Sequence, residues 1–304
     1  MTRFERVMMA IRREREPDRV PWGELGIEAG AARNLLSEMK GGKPDRLSIE
    51  LEMEAIDALG MDIAPVNAGA PGFEDRVRRY RLETDAFVLC VVGGGFYECM
   101  SGMGFDRFML GLRLDRPAIQ EGIAAAIARN TSAALEAVDS GAHGILIGDD
   151  IAYSGGTYLS PRDLRVLLFP RLGEMVTAIK HAGCVPFFHS DGDLNAVFED
   201  LVSLGFEVIH SLEPSAGMDL RSLKRAYGER VCLMGNVEVE RLAVSPAGEV
   251  EDAVREAISA GAPGGGFILS SSSGVVRTAL PIAHILAFRK ALVEYGRYHV
   301  RPAG

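Results

Sequence analysis

From residue 140 onward the chain alternates short, nearly continuous apolar runs with longer segments of helical periodicity. The runs are 144–150 (GILIGDD), 184–191 (CVPFFHSD), 207–213 (EVIHSLE), 231–236 (VCLMGN) and 266–271 (GFILSS). Upstream, 86–92 (AFVLCVV) and 19–24 (RVPWGE) read the same way. A strand with one wet face alternates apolar and polar residues; a strand covered on both faces, as in a parallel sheet, stays apolar. Helical spacing fills the intervals: 47–59, 117–140 (stopped by Gly141), 160–182 (opened by Ser160-Pro161), 193–204 (closed by Gly205), 245–261 (opened by Ser245-Pro246) and 280–296. Repeated βα units imply an α/β fold with a parallel sheet. At 304 residues the expectation is one (β/α)8 TIM barrel spanning 1–304, with extra N-terminal helices covering one end.

Charge and composition exclude several classes. The net charge of −9 and pI near 5.3 argue against a nucleic-acid partner, which selects a basic surface. The opening MTRFERVMMAIRRERE is too charged for a secretion signal, and no run of about 18 apolar residues is present, so no membrane partner is expected. Cys90, Cys99, Cys184 and Cys232 include no CxxC pair and read as free thiols of a reducing compartment. The expected location is cytoplasmic.

A barrel of this kind does its chemistry at the C-terminal ends of its strands. Those ends carry polar residues that a core would not need: Asp149-Asp150, His189-Ser190-Asp191-Gly192-Asp193, Glu213, Gly235-Asn236, the 270–273 serines, and Trp22-Gly23-Glu24. Each also has a structural reading. Asp149 and Asp150 fit a cap as well as a site, Asp193 reads better as the N-cap of a helix starting at Leu194, and Asn236 fits a strand end. The serines fit a turn or a loop of anion-binding amides. His210 reads as a core or supporting histidine; His143, His181, His284 and His299 read as structural or solvated. His189 and Asp191 stand apart. At i and i+2 of a strand they point to one side and converge in the barrel mouth, which suits a divalent metal or acid–base work.

These segments also carry a resemblance. The opening MTRFERVMMAIRREREPDRVPWGE, with Phe188-His189-Ser190-Asp191-Gly192, Glu213-Pro214, Gly235-Asn236-Val237 and GGGFILSS (264–271), resembles the uroporphyrinogen decarboxylase superfamily over essentially the whole chain. True decarboxylases of that superfamily carry an arginine-bearing R-Q-A-G-R segment near the first strand. Here 21–28 reads PWGELGIE, with two acids and no arginine fork to grip a polycarboxylate. The corrinoid-dependent methyltransferase branch holds zinc through H-x-C and a later cysteine. His189 matches the histidine, Asp191 stands at the first cysteine, and the 270–273 serines stand at the second.

The resemblance therefore implies a methyltransferase of the O-demethylase type. It would move a methyl group from a small, methoxy-aromatic type of donor to or from a corrinoid protein. His189 and Asp191, with Glu213, are its expected metal ligands, zinc being the candidate ion. His189, Asp191 and Asp150 are its expected catalytic groups. Trp22, Glu24, Tyr153, Asn236 and Ser271 are expected to contact substrate. The superfamily also implies a homodimer. Two further readings stand beside this one: a metal-free decarboxylase or lyase on a smaller substrate, with Asp150 or Asp191 as proton donor, and a non-catalytic tetrapyrrole- or corrinoid-binding protein.

Overall fold

In the computed structural model, which describes residues 1–41 and 49–298, seven parallel strands form one curled sheet in chain order. They are β1 (Ile63–Asn67), β2 (Phe87–Gly93), β3 (Gly144–Gly148), β4 (Val185–His189), β5 (Val208–Ser211), β6 (Cys232–Val237) and β7 (Phe267–Ser271). The segment 19–24, expected as a strand, forms only isolated bridges. It still closes the ring. Leu269 N–H donates to Pro21 O (2.8 Å), Gly23 N–H to Leu269 O (3.0 Å) and Asp62 N–H to Trp22 O (2.7 Å), so this stave sits between β7 and β1. The TIM-barrel expectation holds, with seven strands and one irregular stave.

Alternation sorts each strand's side chains. Phe87, Leu89, Leu146, Val185, Phe187, Val208, Cys232, Met234 and Ile268 fill the barrel interior. Their neighbours Val88, Cys90, Ile145, Ile147, Phe188, Ile209, Leu233 and Leu269 pack on the helical layer. Both faces are covered, which is why the runs are apolar without a break. Gly144 has no side chain because an added Cβ would lie 2.8 Å from both Phe87 and Phe187.

Helix α1 (Arg3–Arg12) plugs the N-terminal end, with Val7, Ala10 and Ile11 joining the interior cluster. Thr2 and Glu5 form a capping box at its start. The E-P-D-R motif ties it down. Asp18 accepts two bonds from Arg6 (2.6 and 2.8 Å), while Arg6 and Arg19 converge on buried Asp62 (2.6 and 2.8 Å). These bonds hold the closing stave in place.

The remaining helices are α2 (Ala29–Lys40), α3 (Ile49–Leu59), α4 (Phe73–Glu83), α5 (Phe96–Met103), α6 (Phe105–Leu114), α7 (Arg116–Asp139), α8 (Pro161–Leu167), α9 (Phe169–His181), α10 (Phe198–Ser203), α11 (Leu220–Tyr227), α12 (Val239–Val244), α13 (Ala247–Gly261) and α14 (Ile282–Tyr295). The expected 47–59 helix is seen from Ile49; positions 47 and 48 lie outside the described residues, as does His299. The 160–182 helix is interrupted at Leu168, two residues before Pro170, which has no N–H to donate. The four cysteines are free and buried. Among the described residues no helix is long and apolar enough to cross a membrane.

Candidate active site

Parallel register places the ends of β3, β4 and β5 side by side: Gly148 pairs with His189, and His189 with His210. Asp150 follows β3 and Asp191 follows β4, so both carboxyls reach the same space as the His189 ring. His189 Nε2 lies 3.7 Å from Asp150 Oδ1 and 3.9 Å from Asp191 Oδ1. One ligand atom from each of the three residues lies within 4.8 Å of the others. Two further bonds fix the acids: Asp191 N–H donates to Asp150 Oδ1 (3.1 Å) and the Ser211 hydroxyl to Asp191 Oδ1 (3.0 Å). Burial raises the pKa of Asp191 and Asp150 pushes the same way, while His189 opposes.

These donors suit a divalent ion. Ligand bonds of about 2.0–2.2 Å in a tetrahedral shell put ligand atoms about 3.3–3.6 Å apart. The two nitrogen–oxygen separations exceed that by only a few tenths of an ångström. Two carboxylates and one imidazole form a harder set than a thiolate-rich zinc site.

Behind His189 runs a chain of buried polar groups. Its Nδ1 lies 2.8 Å from Nδ1 of His210, and His210 Nε2 lies 3.1 Å from the Ser270 hydroxyl. Ser270 donates to Glu24 (3.1 Å), as does the Ser271 hydroxyl (2.7 Å). The Ser271 backbone N–H and the Trp22 indole N–H, each at 3.0 Å, complete the donors to Glu24. Burial, reinforced by His189, drives the His210 pKa well below the usual histidine range. Burial also raises the Glu24 pKa, against the pull of its four donors.

Several expected residues take other places. Trp22 is 1% exposed and stacks on Phe288 of α14 at 4.9 Å; it supports Glu24 and does not line the mouth. Glu24 and Ser271 are equally buried, so they too reach the mouth only through their neighbours. Glu213 stands outside the three-ligand group, its oxygens taken by Gly192 N–H (2.8 Å) and the Ser215 hydroxyl (3.0 Å). Asn236 lines a groove of about 600 Å³ with residues of α11 and α13. Asp149 is a cap: buried, it accepts from Gly95, Phe96 and Tyr97 N–H at 2.7–3.0 Å, and burial raises its pKa to about 6. Asp193 makes a local turn with Asn195, because α10 starts only at Phe198.

The serine run also serves the scaffold. Ser272 accepts from Val239 N–H (3.1 Å) and Ser273 from Val275 N–H (3.4 Å).

Tyr153 sits on a short hairpin over Gly192, half-exposed. Gly192 has φ 87°, and an added Cβ would strike the Tyr153 backbone at 2.4 Å. Tyr153 packs on Tyr158 (5.3 Å), which meets Phe96 (6.0 Å) and Phe105 (6.2 Å). Burial raises the Tyr158 pKa and the nearby Asp150 adds to it, so this aromatic wall borders the acidic group. The sequence reading missed Tyr158 and Phe105; they lie in a loop and an inserted helix whose position no local pattern discloses.

Fold and site together define an α/β barrel with a metal-competent centre at the C-terminal ends of its strands. The chain belongs to the uroporphyrinogen decarboxylase family, whose model, described as Uroporphyrinogen decarboxylase (URO-D), matches residues 75–295. Among solved structures, a methyltransferase from Methanosarcina mazei is similar at TM-score 0.76 and 18% identity, covering 97% of this chain and 99% of that one. A B12-independent methionine synthase from Shewanella sp. W3-18-1 is similar at TM-score 0.54 and 14% identity, over 84% and 91% of the two chains. No curated protein sequence matches.

Proposed function

We propose that this protein is a methyltransferase that takes a methyl group from a small methylated donor, of the methoxy-aromatic kind, and passes it to a corrinoid protein. The Asp150–His189–Asp191 group carries the reading. The Methanosarcina methyltransferase shares the fold over nearly the full length of both chains and supports it.

A methyl ether is a poor electrophile because its leaving oxygen is strongly basic. A divalent ion, zinc being the candidate, would supply Lewis acidity at that oxygen, and the corrinoid would supply the nucleophile. Asp150, His189 and Asp191 would hold the ion. With the ion held, these carboxylates stay ionised and the proton that the departing oxygen needs comes from solvent; Asp191, whose proton affinity burial raises, suits that delivery where no ion is bound. The carbon–oxygen bond breaks with its electron pair on oxygen, the oxygen gains that proton, and the methyl group leaves toward the open mouth. Tyr153 and Tyr158 offer a flat apolar wall for an aromatic ring.

The test is anaerobic incubation of the purified protein with cob(I)alamin and a set of methoxy-aromatics. Loss of the cob(I)alamin spectrum, with release of the matching phenol and dependence on His189 and Asp191, is expected. Carbon dioxide release without a metal, from uroporphyrinogen or from a smaller carboxylated substrate, would instead establish the decarboxylase reading. Binding of cobalamin or a porphyrin with no turnover of any donor would favour the non-catalytic one.

A further inference from the structure

The strongest unassigned feature is the buried chain from Glu24 to His189. We infer that Glu24, acting through Ser270 and His210, is a positioning residue that fixes His189 with its proton on Nδ1 and its Nε2 lone pair facing Asp150 and Asp191.

Hydrogen-bond direction carries the argument. Two nitrogens 2.8 Å apart share one proton, so one of the two Nδ1 atoms donates and the other accepts. The far end of the chain decides which. Glu24 Oε1 faces an indole N–H and a backbone N–H, both donors only. Glu24 Oε2 faces the hydroxyls of Ser270 and Ser271. Gly274 N–H donates to the Ser271 hydroxyl at 3.1 Å, which turns the Ser271 hydrogen toward Glu24. An ionised carboxylate accepts at every contact, and Ser270 then gives it its hydrogen. Ser270 must then accept from His210 Nε2–H at 3.1 Å. A neutral imidazole has one N–H, so His210 Nδ1 is bare and His189 Nδ1–H donates to it. Neutral His189 is left with Nε2 free, as a metal ligand requires; a histidine ligand's other ring nitrogen is commonly fixed by such a partner. Every group between Glu24 and His189 is buried, so water does not randomise the order.

Replacing Glu24 by Gln should reverse the chain without changing its shape. The glutamine carbonyl must take the Oε1 place, facing the indole and backbone N–H groups. Its amide then donates to Ser270, Ser270 donates to His210 Nε2, and His210 Nδ1–H donates to His189. His189 is driven to the Nε2–H form, with its lone pair turned inward.

The inference builds on Asp150, His189 and Asp191 as the ligand group, but its primary readout needs no metal. In the full-length protein labelled with ¹⁵N-histidine, the six histidines are few enough to assign using His189 and His210 variants. At a pH where both rings are neutral, wild type should show a pyrrole-type Nδ1 and a pyridine-type Nε2 for His189. In Glu24→Gln these two signals should exchange character. In Ser270→Ala, which removes one hydroxyl, His189 should lose its single form, and adding Glu24→Gln to that background should change nothing more. A second readout is competition for Zn²⁺ with a chromophoric chelator, where Glu24→Gln should bind about 10- to 100-fold more weakly.

The inference is overturned if wild type carries the His189 proton on Nε2, or if folded Glu24→Gln keeps the wild-type signals. Should Glu24→Gln fail to fold, unchanged His189 signals in Ser270→Ala overturn it equally. Wild type with the stated tautomer but no zinc would sink the metal reading alone. Zinc binding with the opposite tautomer would sink the inference alone.

Discussion

His189 and His210 meet Nδ1 to Nδ1 at 2.8 Å across two adjacent parallel strands, with ring centroids 4.9 Å apart. The contact couples a ring at the barrel mouth to a fully buried one. Replacing His210 with Leu nearly keeps the volume and removes the acceptor. Zn²⁺ affinity should fall about 10- to 100-fold, while the thermal midpoint, read by circular dichroism, changes little in the absence of metal. Unchanged affinity would show that His189 is oriented by packing alone.

Asp62 is the stability test of the closing stave. It is buried and takes bonds from Arg6, Arg19 and the Trp22 N–H. Asp62→Ala leaves two guanidinium groups without their shared partner, at a cost of about 3–5 kcal/mol. Urea denaturation should show that loss; a cost under about 1 kcal/mol would mean that Asp18 alone holds the arginines.

Gly192 is the backbone test of the site. With φ 87° and Tyr153 backbone within 2.4 Å of an added Cβ, Gly192→Ala should cost roughly 1–3 kcal/mol and displace the hairpin from Asp191. Activity should drop more than stability does, which parallel turnover and urea measurements on the variant can show.

His143 should make stability depend on pH in mildly acidic solution. Burial lowers its pKa to about 4, and the nearby Arg81 adds to the effect. Its Nδ1 accepts from Val88 N–H at 2.9 Å and its ring lies 4.4 Å from that of Phe4. A depressed folded-state pKa means that the unfolded chain binds the extra proton first. The stabilisation is therefore present above about 6.5 and lost as pH falls from there to about 4, by roughly 3 kcal/mol. Urea midpoints of wild type and His143→Gln should converge across that window; parallel curves would remove His143 as the cause.

Sequence alone disclosed what local rules govern. Continuous apolar runs marked six of the seven sheet strands, and the i, i+2 spacing put His189 and Asp191 on one side. The missed strand, Ile63–Asn67, is five residues long with Pro65 in its middle, which reads as a break. It is tolerated because the neighbouring closing stave bonds to it only near Trp22, so the missing N–H faces no ladder partner. Asp193 looked like a helix cap because its residue type fits one. Its side chain instead accepts from Asn195 N–H (2.9 Å) in a local Asx turn, and the helix begins only at Phe198. Asp150, expected as a catalytic group, and His210, expected as a core or supporting histidine, meet His189 through the register of β3, β4 and β5, a long-range property that strand patterns do not encode. Trp22 and Glu213 show the converse: polar strand-end residues can point away from the mouth or be spent on a backbone amide.

The central claim is that Asp150, His189 and Asp191 form a metal centre. Equilibrium dialysis of the purified full-length chain against Zn²⁺, with bound metal counted by atomic emission, tests it most directly. One ion per chain is predicted, lost in His189→Ala and in the Asp150→Asn/Asp191→Asn double variant while both proteins stay folded. Wild type that retains no zinc, or variants that retain as much as wild type, would contradict it.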